Sequence, residues 1–110
     1  MEKQVFTGGL RTTSGFNATT PFARLTLADE GITLRLFGFL YARSEWSDVV
    51  SGERVRGGLL GNSGVRIALG DGMQFVFWSF QPQRVLDALG SRGVRIIDNG
   101  ARPPKVWLGS

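Results

Sequence analysis

The run from Phe22 to Phe37, "FARLTLADEGITLRLF", admits one register. Two segments alternate apolar and polar residues on either side of Ala28-Asp29-Glu30-Gly31. Side chains along a strand point alternately to opposite faces. Ala23, Leu25, Leu27, Ile32, Leu34 and Leu36 therefore share an inward face, and Arg24, Thr26, Thr33 and Arg35 share the other. A slip of one residue would drive the arginines into the core, so the pattern fixes the pairing. That pairing sets Thr26 opposite Thr33 and Arg24 opposite Arg35. Like charges directly opposite are unfavourable. A nearby carboxylate, a bound anion or splaying into water must relieve them.

A second hairpin runs from Val65 to Leu69, turns at Gly70-Asp71-Gly72, and returns from Met73 to Phe80. A three-residue loop matches the faces. Val65, Ile67 and Leu69 then meet Phe77, Phe75 and Met73 inside, while Arg66, Gln74, Val76 and Trp78 face out. The period changes immediately afterwards. Pro82 suits a first helical position, because its missing N–H has no intrahelical partner there. Val85, Leu86 and Leu89 make one apolar stripe, and Gly90 is placed to end the helix. A helix of about nine residues is not stable alone, so it must pack on the sheet. Val94 and Ile96 extend that contact.

Elsewhere, Lys3 to Leu10 reads as a first strand, with Gly8-Gly9 allowing a bend or bulge. Trp46 and Val50 are read as inward. Arg54 and Arg56 share a face if their segment is extended. Gly61-Asn62-Ser63-Gly64 reads as a turn. The segment from Asn99, with Pro103-Pro104, reads as a tail, and Trp107 within it is a docking anchor or an exposed ring.

The chain has 110 residues, which predicts one domain over 1–97 followed by a tail over 98–110. Cysteine is absent, which fits a reducing compartment and a cytoplasmic protein. No apolar run approaches the ~18 residues of a membrane span. Net charge is +4, carried by eleven Arg and two Lys dispersed along the chain.

The order of strands, two long hairpins and one late amphipathic helix resembles the pleckstrin-homology-like superfamily, including its GRAM-type and small actinobacterial members. The resemblance covers about residues 5–97 and rests on "PFARLTLADEGITLRLFG", "WSDVVSGERVRGGLLGNSGVRIAL" and "FVFWSFQPQRVLDALGSRGVRI". It implies a mainly β fold: an antiparallel barrel of about seven strands in two roughly orthogonal sheets, capped by one C-terminal helix. Lipid-binding members often carry an Arg-x-Arg pair near the first strands. Here Arg11 is followed by Thr12-Thr13, and the Arg-x-Arg of this chain is Arg54-Val55-Arg56, in a different segment.

Chemistry is sparse. Histidine is absent, which removes imidazole bases and His-ligated metals. Gly57 to Gly64 is glycine-rich but lacks the Lys-Ser/Thr ending of a phosphate loop. The expectation is a non-enzymatic module with no cofactor and no metal. Its partner is expected to be another protein or a second copy. An anionic membrane surface or phosphorylated ligand bound through arginines is the alternative, and nucleic acid comes third. The candidate binding residues are Arg24, Arg35, Arg54, Arg56, Arg66 and Trp78. Trp78, Val76 and Phe37 are expected to form an outward apolar patch.

Overall fold

In the computed structural model, residues 3–12, 17–56 and 63–97 are described. They form β1 (Gln4–Thr12), β2 (Asn17–Ala28), β3 (Gly31–Leu36), β4 (Phe39–Glu45), a short 3-10 turn (Trp46–Asp48), β5 (Val49–Val55), β6 (Ser63–Leu69), β7 (Gln74–Ser79), α1 (Pro82–Ser91) and β8 (Arg95–Ile97). The fold is mainly β with one helix near the C-terminus. The strands make one continuous sheet in the order β4-β3-β2-β1-β7-β6-β5-β8. These eight strands are the roughly seven expected, with the short β8 added. The eighth pairs parallel with β5, whereas the other pairings are antiparallel.

Both hairpins have the register that alternation dictates. Ala23 opposes Leu36, Arg24 opposes Arg35, Leu25 opposes Leu34, and Thr26 opposes Thr33. Val65 opposes Phe77 and Ile67 opposes Phe75. The loop between β6 and β7 is closed by Leu69 N–H donating to Met73 O at 2.9 Å, and the Asp71 carboxylate accepts from Met73 N–H at 2.8 Å.

β1 joins the two halves of the sheet. Its first half pairs with β2 and its second half with β7, with a bulge between Gly8 and Leu10. A Cβ on Gly8 would stand 2.0 Å from the Trp78 carbonyl oxygen, so this close crossing requires glycine. The inward faces of both halves then share one core. Phe6, Leu10, Leu25, Leu27 and Leu34 belong to the same buried cluster as Val65, Ile67, Phe75 and Phe77.

The helix completes that cluster. Val85, Leu86, Ala88 and Leu89 are buried, and the helix packs on β5, β6 and β8. Gly52 of β5 lets it approach: a Cβ there would sit 2.9 Å from Leu89 Cδ1. Burying Val85, Leu86 and Leu89 stabilises the fold by roughly 1.5–3 kcal/mol each.

Three local expectations are corrected. The helix runs through Gly90 to Ser91, with Arg92 as its cap, and is closed by Gly93, which has φ +87°. Val94 N–H donates to Leu89 O at 3.2 Å and Gly93 N–H to Gly90 O at 3.0 Å. This crossed pair satisfies the last carbonyls. Val50 is exposed and Val49 is buried instead, because a bulge between Val49 and Ser51 shifts the parity of β5. Phe37 is not a strand residue but the first of a two-residue turn, Phe37-Gly38, with φ +52° and +86°. Such turns match strand twist but favour Asn or Gly at the position Phe37 holds.

Among the described residues, no helix is long and apolar enough to cross a membrane. Of the turn expected at Gly61-Asn62-Ser63-Gly64, Ser63 and Gly64 are instead the first residues of β6, paired with Ser79 and Trp78. Residues 57–62 and the tail with Trp107 lie outside the described residues.

Candidate functional site

The outward face of β1–β4 is built from adjacent rows of the ladder. In one row Thr7 faces Arg24, Arg24 faces Arg35, and Arg35 faces Leu40. In the next, Val5 faces Thr26, Thr26 faces Thr33, and Thr33 faces Arg43. The face therefore carries three arginines and three threonine hydroxyls within two rows. Among the described residues, no carboxylate stands within ion-pair distance of Arg24, Arg35 or Arg43. Arg66 differs: its Nη1 meets Glu53 Oε1 at 3.1 Å.

Beyond the first row, at the β3–β4 turn, Phe22 and Phe37 stack with ring centroids 5.1 Å apart and an interplanar angle of 29°. They are 48% and 58% exposed, and Phe39 next to them in sequence is 76% exposed. Phe22 lies two residues from Arg24 on β2, and Phe37 is held beside it from the turn. Two residues along a strand span about 7 Å. Leu40 adds further exposed apolar surface on the edge strand.

The opposite end of these strands is acidic. Asp29 and Glu30 form the β2–β3 turn. Glu45, Asp48 and Asp71 line an open cleft of about 510 Å³, with Arg43 at its border. The surface thus runs from aromatic through cationic to acidic along the β2–β3–β4 direction. Among the described residues, no group of three His, Cys, Asp or Glu side chains is placed to hold a metal ion.

The six sequence-derived candidates do not converge. Arg24 and Arg35 are neighbours on the face above. Arg66 lies on β6, paired with Glu53. Arg54 opposes the inward Val65, and its guanidinium donates to Gln83 Oε1 on the helix. Arg56 is exposed just past the end of β5. Trp78 is half-buried, and its ring occupies the space above Gly64, where a Cβ would lie 2.7 Å from it. Val76 covers the same glycine and is itself buried. The expected patch of Trp78, Val76 and Phe37 is therefore not formed: β1 and β2 lie between β7 and the strand that carries Phe37.

Sequence reading missed Arg43, Phe39 and Leu40, because β4 was not recognised as a strand. The usable signal was Phe37-Gly38, a two-residue break between segments of similar length. In comparisons with known proteins, no family model and no curated protein matches this chain.

Proposed function

We propose that the protein is a non-enzymatic interaction module that docks an anionic partner on the outward face of β1–β4. The observation that carries this reading is the cluster of Arg24, Arg35 and Arg43, none of which has a carboxylate within ion-pair distance among the described residues. Arg24 and Arg35 are held directly opposite each other, an arrangement that costs a fraction of ~1 kcal/mol. An anion set between them reverses the sign of that interaction and adds charge-assisted hydrogen bonds. The Phe22–Phe37 pair supplies apolar contact area beside the charge. The strand order and the late helix support the pleckstrin-homology-like resemblance, which is kept here as part of the proposal.

Self-association through this face is disfavoured, since two copies would bring their arginines together. The β4 edge offers a second route to a protein partner, by strand addition. Among the described residues no strand pairs with its outer side. Against that route, β4 is bulged opposite Leu34 and Arg35 and carries Arg43, both features that blunt an edge.

The test is retention on immobilised heparin. The double variant Arg24→Glu, Arg35→Glu is compared with Arg84→Glu, Arg95→Glu, which changes net charge equally on the helix and β8. The face variant is expected to elute at clearly lower salt than the control. Equal elution would reduce the face to ordinary surface charge and remove the proposal.

A further inference from the structure

We infer that the anionic partner is single-stranded nucleic acid, with bases seated on the Phe22–Phe37 pair and phosphates on Arg24, Arg35 and Arg43. This inference rests on the anionic-partner reading above and names the partner's class. Its argument is the placement of π surface and charge on one face. On β2 the exposed Phe22 ring and the Arg24 guanidinium lie two residues apart on the outward face, Arg35 stands opposite Arg24, and the Phe37 ring reaches the same side from the β3–β4 turn by stacking on Phe22. That spacing is of the order of the distance from a base to its own phosphate. Aromatic rings on a sheet offer stacking to any base, and a cationic groove beside them tracks the backbone. The positive residues are arginines, whose planar groups both bind phosphate bidentately and stack on rings. Threonine hydroxyls at 7, 26 and 33 stand between them as further donors.

The alternatives fit less well. An acidic polypeptide supplies charge but no array of π faces. A membrane surface favours apolar side chains projecting past the cations. Here Phe22 and Phe37 lie against each other and Phe22 shares the outward face with Arg24, while the exposed Phe39 and Leu40 lie on the edge strand β4. The acidic end formed by Asp29, Glu30, Glu45 and Asp71 repels a polyanion, so the footprint runs from the aromatic end and stops at Arg43, which lines the acidic cleft. A short footprint with three arginine contacts follows.

Phe37 supplies a test that separates binding from folding. It holds φ +52°, a conformation that L side chains rarely adopt. Glycine takes that conformation freely, so Phe37→Gly removes the ring without straining the turn. The experiment is fluorescence anisotropy of a labelled oligothymidylate of about ten nucleotides, within the site sizes of sheet-based single-strand binders. The full chain is titrated in at several salt concentrations. The slope of log K against log salt is expected at about −2, from about −0.7 per neutralised phosphate. Arg24→Ala and Arg35→Ala should each reduce its magnitude by about 0.7. Phe37→Gly should weaken binding roughly 5- to 150-fold, the loss of one stacked base, while the protein still melts cooperatively, since relief of φ +52° offsets the lost contact with Phe22.

Polyglutamate and vesicles of phosphatidylglycerol with phosphatidylcholine are run in parallel. Binding to either of these without binding to the oligonucleotide would overturn the nucleic-acid inference and leave the anionic-partner reading standing. No binding in any arm would overturn both. Oligonucleotide binding that Phe37→Gly leaves unchanged would also overturn the inference, since the stacking contact would then be absent.

Discussion

Ala28 offers one carbonyl oxygen to two donors that come from distant parts of the chain. Trp46 Nε1–H reaches it at 2.6 Å, and Arg92 Nη1 donates to it from a position 64 residues away. The Arg92 guanidinium also lies over the Trp46 ring, with Cζ 5.0 Å from the centroid. One small cluster thus ties the end of β2, the crossing from β4 to β5, and the end of the helix. Arg92→Ala removes a charged hydrogen bond and a cation–π contact, and should lower stability by about 1–2 kcal/mol in urea unfolding. An unchanged midpoint would show the cluster to be incidental. Trp46 was readable as an inward residue, because its aromatic bulk sits in a polar stretch. Arg92 was not, since its partners depend on where two other elements bring their backbone.

At the scale of elements, alternation exposed the two hairpins down to the individual pair, because each has one buried face and a short loop. Where periodicity is interrupted the reading failed, for identifiable reasons. The bulge in β5 exchanges Val49 for Val50, and a period-two pattern carries no mark of an inserted residue. The three residues of β8 are too few to show a period, and their parallel pairing with β5 is a long-range contact that no local pattern marks. The helix end is the most testable case. Gly90 is an exposed interior position, and a Cβ there meets only Ile96 Cγ1 at 3.4 Å. Gly93 has open space around it but φ +87°. Gly90→Ala should therefore stabilise the protein by about 0.5–1 kcal/mol, and Gly93→Ala should destabilise it by about 1 kcal/mol. Thermal melting of the two variants checks both signs. The reverse order would place the helix end at Gly90, as the sequence alone suggested.

At the scale of the molecule, the two halves of the sheet and the helix serve a single core, while the outer surface of β1–β4 is left with unbalanced charge. The Arg24–Arg35 juxtaposition was legible in the sequence, because the inward face forced that register. The rest of the candidate face was not, because Arg43 joins it only through the unrecognised β4, and the six residues first singled out are spread by topology over different surfaces. The central claim is that this outward face is where a polyanion sits. A direct measurement is a ¹⁵N–¹H correlation spectrum recorded while a short heparin oligosaccharide is titrated into the full chain. Shifts concentrated on the amides of Thr7, Arg24, Thr26, Thr33, Arg35 and Arg43, with the helix and β5 unmoved, are the result this account predicts. Shifts centred on Arg54, Arg56 and the helix, or spread evenly over every arginine, would contradict it.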